Sequence, residues 1–301
     1  MFHHFHDKNH VKGQGSIDAT EFSNIIKFYS NNFNILSAEI FLKKFFNNGL
    51  DKNDVCITFD DNLKCQYDVA LPILNELKIK AFWFIYTSPL NGYFEKLETY
   101  RFFRSFYFNS FIDFYETFFY ELNSKKKYQN VIDKLNEFDY KNYLKEFSFY
   151  TKEDKIFRYT RDNLLGEDIY YEVMDSLMEN SEISLDSELH EKLWMTKNEI
   201  YELKTNGHII GLHSHSHPTR MGEKSFEFQE HNYSKNKSIL EKIIDDEIIC
   251  MSHPCNSYNQ ETLKILKKLK IKLGFRANLS KGFCSDYEIP RIDHSEIVKL
   301  L

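Results

Sequence analysis

The chain has 301 residues, with 45 acidic against 39 basic side chains and a formal net charge of −6. Hydrophobic residues make up 42% and charged residues 28%, a balance that supports one large or two modest folded domains. No basic block extends beyond SKKKY at 124–128 and no apolar run approaches a bilayer's thickness, so neither a nucleic-acid partner nor a membrane span is expected.

The opening MFHHFHDKNHVKGQGSI carries no basic segment followed by a long apolar one, so no secretory signal is expected. Its GQGS is neither a dinucleotide fingerprint nor a phosphate loop, and no organic cofactor is expected from it. Cys56, Cys65, Cys250, Cys255 and Cys284 are odd in number and lack paired spacing. They read as reduced thiols, small buried hydrophobes in a cytoplasmic protein.

SIDATEFSNIIKFYSNN puts Phe22, Ile25, Ile26 and Tyr29 on one helical face, with Asp18 and Thr20 as capping candidates. SAEIFLKKFFNNG predicts a second helix, capped by Ser37, striped by Phe41, Leu42, Phe45 and Phe46, and stopped at Gly49. DVCITFDDN predicts a buried strand over 55–59 that ends in two acids. A short helix in ALPILNELKIK and a strand in AFWFIY follow, an order that favours a parallel sheet. From about 88 to 190 the chain is aromatic, charged and nearly free of Gly and Pro, and predicts several helices. Such an insertion packs on a sheet or covers a site. The βα rhythm returns at WMTKNEIYELKTNGHIIGLHSHSHP, with a Thr196–Glu199 capping box, inward Ile200 and Leu203, a stop at Gly207 and a strand over 208–212. A helix near 238–244, a strand in IICMSHP, a helix in NQETLKILKKLK and a strand in LGFRAN complete one α/β domain, a barrel or open sheet interrupted once at about 90–190.

Two polar clusters fall at the C-terminal ends of predicted strands: Asp60 with Asp61, and His213, His215 and His217 in HSHSHP. In parallel α/β folds that end of the sheet is where active sites are built. Alone, an Asp pair is most often a turn or a cap, and a histidine run a polar loop. Together they suit a metal-dependent hydrolase. Two imidazoles and one carboxylate make a three-ligand set for catalytic Zn²⁺, and a second, unligated carboxylate can take a proton from water.

ITFDDN resembles the T-F-D-D-G motif of the polysaccharide deacetylase family (the NodB-homology domain, carbohydrate esterase family 4), and HSHSHP resembles its H-[S/T]-x-x-H-P motif. SHPCNSYNQETLKILKKLKIKLGFR and IPRIDHSEI are similar to its later segments, so that the likeness covers about 51–86 and 192–295. The resemblance implies a distorted (β/α) barrel and a metal-dependent N-deacetylase of an N-acetylated sugar or sugar precursor. Asp60 would be the base, and Asp61, His213 and His217 would bind one divalent ion, Zn²⁺ by default. His215 would face solvent or substrate, and a backbone N–H near Cys255 would steady the oxyanion. A histidine must protonate the leaving amine, and His294, or His3, His4 and His6 of the opening HHFH, are the candidates. The family's arginine that orients the base is missing from its usual place, where Ser252 and His253 stand, so Arg276 or Arg291 would substitute for it. Asn62 replaces the motif's glycine, a change that asparagine's access to left-handed backbone permits. The opening MFHHFHD is similar to deacetylase-like proteins of surface-polysaccharide biosynthesis, which points to a glycan intermediate. A glycan-binding protein on a degenerate deacetylase scaffold, or a hydrolase of another C–N bond, are the alternative readings.

Overall fold

The computed structural model describes residues 1–144, 150–181, 187–279 and 285–297, and Cys284 lies outside them. The chain forms two compact units, Met1–Phe94 with Ser187–Leu301, and Glu95–Asp186.

The first unit begins with a small parallel pair, β1 (Asn34–Ile35) and β2 (Asp54–Val55). Its main sheet holds β3 (Thr58–Asp60), β4 (Phe82–Ile85), β5 (Ile209–Leu212), β6 (Cys250–Ser252) and β7 (Leu273–Phe275). All neighbours are parallel and the spatial order follows the chain. An open doubly wound sheet reverses its strand order; this one never does, so it curls one way. Past β7 the curl continues through Ile289, whose N–H donates to Gly274 O at 2.9 Å and whose carbonyl accepts from Arg276 N at 3.0 Å. The Met1 ammonium donates to Ile292 O at 2.7 Å, and Phe2 bridges Phe59 of β3. These contacts close the ring into a distorted (β/α) barrel.

Alternation along each strand sorts its residues between two faces. Phe59, Trp83, Ile85, Ile210, Leu212 and Met251 pack outward in one core with Ile25, Ile200, Leu203, Leu240 and Ile265 of the surrounding helices. Phe82, Phe84, Cys250, Leu273 and Phe275 face inward and meet Ala38, Phe41 and Leu42 of the helix Ala38–Phe46. The same parity carries Thr58, Asp60 and Ser252 to the inner face, since they pair in register with Phe82, Phe84 and Phe275. Gly211 is inward and opposite Phe84, where a Cβ would lie 2.5 Å from the ring and 3.0 Å from Cys250 O. Phe84 is fully buried and has nowhere to move. Gly211→Ala should therefore cost about 1–3 kcal/mol through overpacking, measured by urea unfolding.

The predicted strand over 55–59 is split, because Val55 pairs with β1 while Thr58 pairs with β4. The helix expected near 238–244 runs Phe226–Ile244, capped by Ser225. Asn48, with φ 51°, takes the left-handed step expected of Gly49, whose N–H satisfies Lys44 O at 2.8 Å. Asp18 caps the first helix in a capping box with Glu21, and Thr196 pairs with Glu199 in the same way.

Among its described residues the second unit has helices and no strand. Helices Lys96–Tyr107, Phe111–Ser124, Gln129–Asn136, Lys152–Tyr159 and Gly166–Asn180 enclose an aromatic core of its own, which includes Tyr100, Phe103, Phe114, Phe118, Phe157 and Tyr170. No helix of the described residues is long and apolar enough to cross a membrane.

Candidate active site

After Asp60 ends β3 inside the barrel, Asp61 (φ 83°) and Asn62 (φ 61°) both turn left-handed. The reversal sends consecutive carboxylates to different partners. Asn62 holds the conformation for which the family's motif uses glycine. Beyond β5, Ser214 (φ 66°) and His217 (φ 48°) bracket a tight loop, closed by the His217 N–H donating to Ser214 Oγ at 3.1 Å. Two asparagines of the helix Phe226–Ile244 hold that loop. Asn236 Oδ1 accepts from His213 N at 3.1 Å, and Asn232 Oδ1 accepts from His215 N and Ser216 N at 2.8 and 3.0 Å. The sequence reading missed both. Their spacing of four on a helical face otherwise buried was the available signal.

The result is a triangle of donor atoms. Asp61 Oδ1, His213 Nε2 and His217 Nε2 lie 3.2 Å from one another. Ligands about 2.0–2.1 Å from a tetrahedral zinc stand about 3.3 Å apart, so the triangle has the right size. Its chemistry also fits a cation. Ser252 O accepts from His213 Nδ1 at 2.9 Å, which fixes that proton and leaves a lone pair on Nε2 facing the triangle. Asp61 Oδ1 is buried there without a hydrogen-bond partner. The His213 lone pair and a buried carboxylate oxygen facing each other repel unless positive charge lies between them.

Asp60 sits beside the triangle at 2% exposure. Arg291 grips it as a fork, Nη1 to Oδ1 at 2.8 Å and Nη2 to Oδ2 at 2.7 Å, and Ser252 Oγ donates to Oδ2 at 3.1 Å. The guanidinium is held in turn by Arg276 O at 3.0 Å and Thr58 Oγ1 at 3.1 Å, between the rings of Phe84 and Phe275. Burial alone would raise the Asp60 carboxyl, but the charge of Arg291, with His213 and His3 behind it, holds it down to about 2.

The register of Phe2 on Phe59 places His3 on the inner face beside Asp60. His3 Nε2 lies 3.9 Å from both Asp60 Oδ2 and Asp61 Oδ2, and Nδ1 lies 3.6 Å from Asp293 Oδ2. Burial works against its charged form, but the three surrounding carboxylates, Asp293 foremost, raise it to about 9.

Other candidates stand elsewhere, and two expectations need correction. His294 stacks on Phe2, has Nε2 2.8 Å from Gly15 O and keeps Nδ1 3.6 Å from Asp293 Oδ1, in a group with Asp293 and His3 rather than with the triangle. His6 Nδ1 lies 3.0 Å from Ser16 Oγ. It groups with Asp18 and Glu21, both committed to a helix cap. Neither pairs with Asp60 or Asp61, whereas His3 Nε2 lies 3.9 Å from both. Half-buried His215 is tied down: its Nδ1 lies 2.9 Å from Thr87 Oγ1 and its carbonyl accepts from Ser88 N, with burial first among the causes that lower its pKa to about 4. His253 stacks on Tyr258 and bonds Tyr287 O, away from the acids. Arg276 follows inward Phe275 and supports the site through its carbonyl, so the fork on Asp60 belongs to Arg291 alone. Exposed Cys255 takes a left-handed conformation (φ 48°) in the turn after β6.

A family model of polysaccharide deacetylases matches residues 47–101 and 151–274, more than half of the chain. The chain belongs to the polysaccharide deacetylase family. The match runs into the helical unit over 95–101 and 151–186, beyond the stretches that carried the resemblance. No curated protein sequence matches the chain. Solved structures share the family's barrel fold at low identity. Streptococcus pyogenes deacetylase PplD in complex with acetate superposes with a TM-score of 0.55 at 18% identity, covering 97% of this chain and 89% of that one. IcaB from Ammonifex degensii gives 0.59 at 11% identity over 99% and 93%. The BpsB deacetylase domain from Bordetella bronchiseptica gives 0.54 at 11% identity over 96% and 88%. The polysaccharide deacetylase fold is thus shared, and the family makes the chain a carbohydrate deacetylase in class.

Proposed function

We propose that this family member is a metal-dependent N-deacetylase that hydrolyses the acetamido group of an N-acetylated sugar or glycan precursor in surface-polysaccharide biosynthesis. The observation that carries the reading is the division of labour between adjacent acids. Asp61 completes a three-donor triangle with His213 and His217, while Asp60 is turned away to Arg291 and remains outside it. A binding protein has no use for that second carboxylate. The reading carries with it the cytoplasmic setting expected from the sequence.

A divalent cation held by Asp61, His213 and His217, Zn²⁺ by default, supplies Lewis acidity toward the acetamido carbonyl and makes water more acidic. Asp60, kept anionic and oriented by Arg291 and Ser252, accepts the proton that water gives up as it attacks. His3, charged through its contact with Asp293, delivers a proton to the departing nitrogen, since an amide anion leaves poorly. Asp293 orients the imidazole and stabilises its charge.

The test pairs metal content with acetate release from N-acetylated sugars. The wild-type chain should hold about one divalent ion, and His213→Ala should lose it together with turnover while circular dichroism stays unchanged. A protein that refuses Zn²⁺ under reconstitution would sink the reading. Metal without turnover on any acetylated substrate would leave a glycan-binding protein on the same scaffold.

A further inference from the structure

The histidine that takes no part in the chemistry has an unanswered atom. His294 is 6% exposed, and its Nε2 lies 2.8 Å from Gly15 O, a contact that requires the ring proton on that nitrogen. Nδ1 then carries a lone pair. It is sealed from solvent and has no hydrogen-bond partner among the described residues. What it faces is Asp293 Oδ1 at 3.6 Å, too far for a hydrogen bond and a repulsive neighbour for a lone pair. A second ring proton would remove the repulsion, but burial lowers the His294 pKa below its ordinary value and outweighs the pull of Asp293.

The other oxygen of the same carboxylate, Oδ2, lies 3.6 Å from His3 Nδ1. Two imidazoles thus flank Asp293, and donor atoms of the three residues lie within 4.8 Å of one another. The two 3.6 Å separations are close to the roughly 3.3 Å between ligands of one tetrahedral zinc. About a quarter of the His3 and Asp293 side chains is exposed, which leaves an ion a way in. Asp60 and Asp61 add negative charge 3.9 Å from His3 Nε2.

We propose that His3, Asp293 and His294 form a second divalent-cation site, separate from the triangle, at which a bound transition-metal ion inhibits the enzyme. Two imidazoles and one carboxylate suit Zn²⁺, Cu²⁺ or Ni²⁺ rather than Mg²⁺ or Ca²⁺. It is the weaker of the two sites. Asp293 Oδ1 already accepts from Ser295 N and Oγ at 2.9 and 2.6 Å, and His3 must give up its Nδ1 proton to bind. The inhibition rests on the deacetylase reading, whereas the binding does not. His3 presents Nε2 to Asp60 and Asp61 and Nδ1 to Asp293. With an ion on Nδ1 the ring is no longer an imidazolium, and Nε2 can part with its proton only by becoming an imidazolate. A filled site therefore removes the acid that serves the departing nitrogen and leaves Asp60 and the triangle in place.

Equilibrium dialysis of the full chain against excess Zn²⁺, with metal analysis, tests it beside acetate release. Wild type should bind two ions, the second about tenfold or more weakly than the first. His213→Ala should keep only the weak ion and His294→Gln only the tight one. Acetate release by wild type should fall about tenfold or more as the second ion binds. His294→Gln should match wild type at one equivalent and resist the excess. Saturation of wild type at one ion that His294→Gln retains, a second ion that His294→Gln binds as tightly as wild type, or a second ion that leaves turnover intact would overturn the proposal. A single ion that survives His213→Ala and is lost in His294→Gln would sink the deacetylase reading and keep the site. In a protein without turnover, the His3 imidazole resonance should move as that ion binds, and its standing still would overturn the proposal equally. If His294→Gln does not fold, His294→Phe, which keeps the stack on Phe2, is read in its place.

Discussion

Asp60→Asn should lower acetate release about 10³-fold while leaving the bound metal in place. The substitution removes the one carboxylate at the barrel mouth that Arg291 and Ser252 orient, and it leaves Asp61 Oδ1, His213 Nε2 and His217 Nε2 untouched. Asp60 Oδ2 lies 4.0 Å from His213 Nε2, close enough to serve a water between them and too far to be part of the triangle. Loss of metal and activity together would make Asp60 a ligand and remove the base from the mechanism. Full activity in Asp60→Asn would exclude it from chemistry altogether. Asp61→Ala supplies the contrast, since it should lose the metal first and activity as a consequence. Both are measured on protein whose circular dichroism matches the wild type.

What the sequence disclosed about this site depended on distance along the chain. Asp61 and His213 each follow a strand directly and His217 stands four residues past His213, so a local motif was enough to bring them forward as one set, and the structure places their donor atoms together. Arg291 and His3 come from segments that carry no named strand, and their place depends on register. Phe2 opposite Phe59 turns His3 inward, and alternation along 291–294 turns Arg291 and Asp293 inward while His294 stacks on Phe2. No periodicity in HHFH or RIDHSE distinguishes one histidine from the next until that register is known. The choice between Arg276 and Arg291 turned on the same parity. The βα order was legible because buried parallel strands such as FWFI are continuous apolar runs. Closure of the ring was not, because single bridges at Ile289 and Phe2 leave no pattern in the sequence.

Arg291→Met should destabilise the protein by about 3–5 kcal/mol, the largest stability effect expected outside the apolar core. Methionine fits between Phe84 and Phe275 as the guanidinium does, so lost packing contributes little. The cost arises at Asp60, which remains 2% exposed and loses both prongs of its fork, with only Ser252 Oγ left to donate. If that account holds, the loss is a property of the pair. Asp60→Asn combined with Arg291→Met removes the stranded carboxylate, and the double variant should be more stable than Arg291→Met alone, a coupling of about 1–3 kcal/mol in a double-mutant cycle. Urea unfolding of the four proteins reads it directly. Additive losses would mean that Arg291 acts through Thr58 and Arg276 as a strut of the barrel's closing segment, with Asp60 a passive neighbour. Activity separates the same alternatives: Arg291→Met should lower kcat with little change in KM, because the guanidinium orients the base and is buried behind it, out of the substrate's reach.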